Sequence, residues 1–92
     1  MSSSSTPRFT EKQGQYLAFI YTYTLLNRHP PAEADFQRFF ETTPPSVHQM
    51  ILGLERRGLI SRIPGQARTI KLLLRSEELP ALQPIKTSAA RY

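Results

Sequence analysis

Residues 56–76 read RRGLISRIPGQARTIKLLLRS, and they hold six of the twelve basic residues of the chain and no acidic residue. Apolar residues recur on both sides of Pro64-Gly65, a pair that supplies turn chemistry. The pattern predicts two short strands, over 60–63 and 69–73, joined as a hairpin. Gly58 stands where a preceding helix needs a left-handed residue to end. A cationic hairpin directly after a short helix is typical of the wing of a winged helix.

Two helices are predicted before this region. Thr10 and Gln13 have the spacing of a capping box, so the first helix should begin there. It should continue to about Asn27, because Pro30-Pro31 follows closely and cannot continue a helix. A second, short helix is predicted over 32–41. Aromatic residues at helical spacing in both segments are expected in the core: Tyr16, Phe19, Tyr23, Phe36, Phe39 and Phe40.

A third helix is predicted over 44–57. Thr43 followed by Pro44 is a helix start, with the threonine as cap and the proline in the first turn. The connection from the second helix is about three residues long, as a helix-turn-helix requires. The third helix would then lie in a DNA major groove with its N-terminal residues nearest the bases. Its inner stripe is predicted to be Val47, Met50, Ile51 and Leu54.

These elements predict a mainly α (α+β) fold, a winged helix-turn-helix with three helices followed by a two-stranded β-hairpin wing. The 92 residues make one small domain. We expect a disordered N-terminal arm over 1–8, the winged domain over 9–75, and a C-terminal tail or linker over 76–92.

Composition restricts the function classes. The net charge of +5 favours a polyanionic partner, nucleic acid first and an anionic membrane surface second. The chain has no cysteine, which excludes disulfides, thiolate nucleophiles and cysteine-based zinc sites and fits a cytoplasmic protein. No apolar run approaches the roughly 20 residues that span a bilayer. The polar N-terminus is not a secretory signal, so no membrane role is predicted.

Catalytic and metal chemistry find no support in the sequence. His29 and His48, the two histidines of the chain, stand on different elements and make no metal site. Glu33, Asp35 and Glu41 lack a pocket in which a carboxylate could act as an acid or a base. We therefore predict no enzyme activity, no cofactor, no metal and no small-molecule substrate.

The ordered set of motifs resembles the N-terminal DNA-binding domain of the LexA repressor family. The resemblance covers roughly residues 9–73, with one residue fewer than the family between Pro31 and the third helix. It implies a sequence-specific protein that binds double-stranded DNA, a transcriptional regulator acting as a repressor. The motifs at the family's spacing include Val47, Ile51, Leu54, Arg56-Arg57-Gly58-Leu59-Ile60, Gly65-Gln66-Ala67-Arg68 and Ile70-Lys71-Leu72-Leu73.

The chain departs from the family in two places. The family's third helix usually opens Ser-Pro-Asn-Ala-Val-Glu-Glu, whereas residues 43–49 here read Thr-Pro-Pro-Ser-Val-His-Gln. The base-facing positions therefore differ, and the family's operator sequence does not carry over. Family repressors also continue into a self-cleaving domain with a Ser/Lys dyad, which the residues up to Tyr92 cannot hold. The chain is expected to be either a stand-alone relative or a truncated form, and self-cleavage is not implied.

The candidate DNA contacts lie on the third helix and the wing. Ser46, His48 and Gln49 would face base edges or phosphates, and the wing side chains would reach phosphates or the minor groove. An ordinary solvated helix face, a helix cap, and a charged hairpin that discourages edge pairing are the alternative readings. The predicted DNA-binding residues are Thr43, Pro45, Ser46, His48, Gln49, Leu52, Arg56, Arg62, Gln66, Arg68 and Lys71.

Other functions of the same fold stay open at this point. A winged helix can be a protein-interaction module, and Leu52, an apolar residue on the groove-facing helix, suits a protein partner or a thymine methyl. A third reading is a DNA-binding accessory factor of a mobile element, which would bend DNA without repressing. Because one winged domain buries a modest interface, either a homodimer or binding in concert with another protein is expected.

Overall fold

The computed structural model describes residues 8–84, and the elements follow the predicted order. The predicted N-terminal arm, apart from Arg8, and the last eight residues of the predicted tail lie outside this part of the chain. The elements are α1 (Glu11–Asn27), α2 (Glu33–Phe40), α3 (Pro44–Arg56), β1 (Ile60–Ser61), β2 (Lys71–Leu72) and a single 3₁₀ turn (Ser76–Glu78).

The helix starts confirm the caps predicted from the sequence. The Thr10 hydroxyl accepts a hydrogen bond from the Gln13 backbone N–H at 3.1 Å, and the Gln13 side chain accepts from the Thr10 N–H at 2.9 Å. Thr43 caps α3 and accepts from the Ser46 N–H at 3.4 Å. Residues 41–43 join α2 to α3, which is the predicted three-residue connection.

The strands are shorter than predicted, with two residues each instead of 60–63 and 69–73. A side chain closes the intervening loop where a backbone ladder was expected. The Thr69 hydroxyl accepts from the Ile63 N–H at 2.9 Å and donates to the Gln66 carbonyl at 3.0 Å. Arg68, directly before the predicted second strand, has a positive φ of 62°, so the chain is still turning where that strand was expected to begin. The hairpin therefore has a short base and a long, irregular tip.

One apolar core joins the three helices to the base of the wing. The antiparallel strands pair Ile60 with Leu72 and Ser61 with Lys71, which turns Ile60 and Ile70 inward. The aromatic residues of α1 and α2 pack against each other, as predicted, and the Tyr16 and Phe40 rings stack with centroids 4.2 Å apart. The fully buried side chains of the core include Tyr16, Leu17, Ile20, Phe36, Val47, Ile51, Leu54, Leu59 and Ile60.

The segment after β2 packs on α1. The Gln15 side chain donates to the Ala81 carbonyl at 2.9 Å and accepts from the Gln83 N–H at 2.7 Å. Leu79 and Leu82 are half-buried against the core. Added at Gly14, a Cβ would lie 3.1 Å from the Pro80 ring, so the close approach requires glycine. The domain boundary predicted at residue 75 stays a prediction. Within residues 8–84, no helix is long and apolar enough to cross a membrane.

Candidate nucleic-acid interface

The outer face of α3 is a defined surface because the opposite face is locked into the core. Val47, Ile51 and Leu54 are each 0% exposed, which fixes the rotation of the helix about its axis. At 100° per residue, the stripe farthest from these positions runs along Pro45, Gln49, Leu52 and Arg56. Pro45, Gln49 and Arg56 are exposed and Leu52 is half-buried. Four of the predicted contact residues therefore share one face.

At the start of α3, the predicted contacts also cap the helix. The Thr43 hydroxyl donates to the Ser46 hydroxyl at 3.0 Å while it accepts from the Ser46 N–H. The capping role that the sequence left open is therefore present for Thr43, and Ser46 is part of the same arrangement. Both side chains remain exposed at the helix terminus.

His48 stands beside the outer stripe and is tied to the neighbouring helix. Its Nδ1 lies 3.2 Å from Oε2 of Glu33, in the first turn of α2. A carboxylate accepts hydrogen bonds, so the proton of this contact lies on Nδ1 of the imidazole. About half of the His48 side chain, 48%, stays exposed. The second ring nitrogen, Nε2, is the one that the Glu33 contact leaves for another partner.

Arg62 is not extended into solvent as a wing side chain would be. Its Nε donates to Oε1 of Glu55 at 3.0 Å, and its side chain is only 15% exposed. This ion pair links Arg62, directly after β1, to the last turn of α3. One of the cations that the sequence assigned to the wing is therefore paired inside the domain.

Arg68 is also turned back onto the body of the domain. Its Nη1 lies 3.1 Å from the Tyr23 hydroxyl, 3.3 Å from the Pro30 carbonyl and 3.2 Å from Oδ2 of Asp35. All three contacts involve one nitrogen, and 42% of the side chain stays exposed. The guanidinium thus tethers the tip of the wing to α1 and α2.

Asp35 is the centre of this tether and was not predicted as a site residue. Its side chain is 6% exposed and accepts from the Ala32 N–H at 2.8 Å, besides its contacts with Arg38 and Arg68. Burial alone would raise the pKa of Asp35, but the Ala32 N–H, the two arginine charges and the Tyr23 hydroxyl together hold this pKa below its ordinary value. Asp35 is therefore a charged anchor.

The remaining predicted wing residues fall on two sides. Gln66 is exposed in the turn and borders a cleft that also contains Glu33 and Ile51, so it lies close to the His48 side of α3. Lys71 is exposed on β2 and borders a groove shared with α1. Gln66 thus borders the same cleft as the first turn of α2, and Lys71 lies at the base of the wing. Among residues 8–84, no group of acids and histidines could hold a metal ion.

The acids that organise this surface were missed at the level of the sequence. Asp35 follows Ala32 at capping-box spacing, and that spacing is the local signal that could have marked it. Glu33 and Glu55 carry no such signal, because their partners come together only through the packing of α2, α3 and the hairpin.

Comparisons with known proteins agree with this geometry. The family model described as the LexA DNA binding domain matches residues 6–69. A LexA repressor of Thermosipho melanesiensis is 37% identical over 79 residues, which cover 86% of this chain and 39% of that protein. One from Thermosipho africanus is 34% identical over 82 residues, covering 89% of this chain and 41% of that protein. The chain thus spans about two fifths of the length of these relatives.

Proposed function

The chain belongs to the LexA DNA-binding domain family, and from this premise we propose that it represses transcription by occupying a specific site on double-stranded DNA. The observation that carries the proposal is the outer face of α3, a surface of fixed orientation that is rich in groups able to contact bases. Binding alone accounts for this arrangement, so no catalytic step is part of the proposal. The protein would act in the cytoplasm, associated with the nucleoid.

The roles of the residues divide between the two elements. The outer face of α3 enters the major groove, where His48, Gln49 and Leu52 meet base edges. At the start of α3, the Ser46 hydroxyl donates to a phosphate, with Thr43 and Pro45 beside it. The backbone contributes little there, because Pro44 and Pro45 have no N–H and the cap uses the Ser46 N–H. Arg56, Gln66 and Lys71 contact the backbone from exposed positions.

Arg62 and Arg68 contribute to DNA binding mainly by holding the wing in position. A guanidinium has five donors, and the contacts of each arginine inside the domain use one nitrogen. Donors that remain can still reach a phosphate. Their larger contribution is to the position of the hairpin.

A second candidate function, binding to a protein, is favoured by apolar side chains on α1. Tyr21, Leu25 and Leu26 are 40%, 64% and 74% exposed. Such a surface can support a homodimer on a two-fold DNA site, which would add to the weak affinity of a single domain. Sedimentation with and without DNA separates a dimer from a monomer.

Fluorescence anisotropy on mixed-sequence duplex DNA tests the main proposal, with titrations at low and near-physiological salt. If four to six phosphates are neutralised, log K should fall against log salt with a slope of about −4 to −5. Arg56→Ala should flatten the slope by about 0.9. Arg8→Ala is the matched control, because Arg8 is paired with Glu78 at 2.7 Å beside the tail, away from α3. Absence of binding at low salt would overturn the proposal and make protein interaction the leading function.

A further inference from the structure

The outer face of α3 has an unusual composition for a surface that reads DNA. From Pro44 to Glu55 the helix contains no arginine or lysine, and its first cation is Arg56 in the last turn. Guanine presents two acceptors in the major groove and is read most often by arginine or lysine. The middle of α3 therefore lacks the two side chains that most often recognise guanine.

The side chains present in their place match A·T pairs. Gln49 can donate to N7 and accept from the N6 amino group of adenine, the bidentate pairing for this base. Leu52 is apolar and lies on the same outer stripe, where it suits the methyl group of thymine. In the major groove, an A·T pair offers both of these features at once.

His48 adds a third feature through its contact with Glu33. Because Nδ1 carries the proton of the 3.2 Å contact, Nε2 of the neutral ring is a hydrogen-bond acceptor. The only donors in the major groove are the amino groups of adenine and cytosine. The contact between α2 and α3 thus orients His48 to accept from an amino group.

We propose that the outer face of α3 reads A·T pairs, with Gln49 at adenine and Leu52 against a thymine methyl, and that Glu33 is a positioning residue that orients His48 to accept from a base amino group. This inference rests on the proposed function. It names the base pairs of the site, which the family's operator does not supply, since residues 45, 46, 48 and 49 differ from the usual family sequence.

Selection from a randomised duplex library, followed by atomic substitution of the bases, tests the inference. The selected site should hold A·T pairs under α3. Replacing its thymines by uracil removes the methyl groups and should weaken binding about fourfold for each buried methyl. Replacing its adenines by 7-deazaadenine removes N7 and should weaken binding about tenfold.

Protein variants assign each loss to a side chain. In Leu52→Ala the uracil substitution should have no further effect, and in Gln49→Ala the same should hold for 7-deazaadenine. Leu73→Ala is the matched control, because this leucine is 52% exposed directly after β2, outside α3 and outside the apolar surface of α1. It should keep both penalties at their full size.

The role of Glu33 has a spectroscopic readout. In mildly alkaline buffer, ¹⁵N chemical shifts of the His48 ring should show the tautomer protonated at Nδ1. Glu33→Ala should shift the ring toward the Nε2-protonated tautomer and broaden the base preference opposite His48, whereas Glu33→Gln, which keeps an acceptor oxygen, should restore both.

The outcomes separate this inference from the proposed function. Failure to bind any duplex at low salt would remove the proposed function itself. Strong binding to a site with G·C pairs under α3, or to the A·T site with no penalty from uracil and 7-deazaadenine, would overturn only the reading of A·T pairs. An unchanged His48 tautomer in Glu33→Ala would overturn the role of Glu33.

Discussion

The outer face of α3 and the wing use their polar side chains in opposite ways. On α3, Gln49 and Arg56 project from a helix whose position is set by buried apolar residues. On the wing, Arg62 and Arg68 turn inward to Glu55 and Asp35, and these ion pairs help to set the position of the hairpin. The wing, which carries most of the charge, thus uses two of its cations to hold its own structure. A cluster of cations in a sequence therefore counts as a DNA-binding surface only after its acidic partners are known.

The contrast has a physical cause in the length of the strands. The sheet contains two residue pairs, and an isolated two-stranded hairpin is marginally stable in water. The hydrophobic core reaches the base of the wing through Ile60 and Ile70 but not its tip. Beyond the end of the ladder and of the core, the hairpin is held by side-chain hydrogen bonds of Arg68 and of the Thr69 hydroxyl.

The largest expected effect comes from removing the anchor of the wing. Asp35→Ala should lower the free energy of unfolding by about 2 kcal/mol, because it deletes charge-assisted hydrogen bonds to the arginines and the capping contact with Ala32. Urea denaturation measures the loss. Glu77→Ala is the control, since this exposed acid only faces Arg75 at 4.0 Å and should change stability by less than about 0.5 kcal/mol. Equal losses in the two variants would remove the anchor role.

The second largest effect is expected from two variants of the wing, which separate a cation that holds the hairpin from one that contacts DNA. Arg68→Ala should lower the urea midpoint through its lost hydrogen bonds and change the salt slope of DNA binding little. Lys71→Ala should leave stability within about 0.5 kcal/mol and flatten the slope by about 0.9. Denaturation and salt-dependent anisotropy measure both quantities. If Arg68→Ala leaves stability unchanged and flattens the slope as much as Lys71→Ala, Arg68 is a DNA contact and not a tether of the wing.

The sequence predicted what depends on local chemistry. The capping box at Thr10, the Thr43 cap, the prolines that stop α1 and Gly58, with its φ of 75° after α3, act within a few residues, so helix bounds follow from them. In the second predicted strand, Ile70 is buried and Lys71 is exposed, as the two-residue period of a strand requires. These features supported the three helices, the hairpin and the outer face of α3.

Contacts between residues far apart in the sequence were not predicted, because they depend on how the helices and the hairpin pack. Arg68 and Asp35 are 33 residues apart, and nothing local at either position announces the pair. The predicted strands were too long because the residues around Thr69 have a β-like sequence but do not pair as a ladder. The Thr69 side chain takes the Ile63 N–H instead, and the chain turns at Arg68, which has a positive φ. The packing of the tail on Gln15 depends likewise on a partner 66 residues away.

The smallest expected effect concerns acid. Because the pKa of Asp35 is held below its ordinary value, the ionised carboxylate stabilises the fold fully above the unfolded-state pKa of about 3.9. That contribution is lost as the pH falls through the lowered pKa of the folded state. Asp35→Asn cannot ionise, so its deficit relative to the unaltered protein should be constant at neutral pH and shrink below about pH 4. Urea denaturation of both proteins down to about pH 2 measures the difference.

Two features make this acid test specific for the wing. The charged or titratable groups that face the anchor are Arg38, Arg68, the Tyr23 hydroxyl and His29, whose Nδ1 lies 3.4 Å from the Arg68 guanidinium. The arginines keep their charge through the acid range, so the shrinking deficit reports the Asp35 carboxylate. Glu77→Gln should instead run parallel to the unaltered protein at every pH. A deficit of Asp35→Asn that persisted unchanged to the lowest pH would show that the amide disturbs packing, and that the charge of Asp35 does not hold the wing.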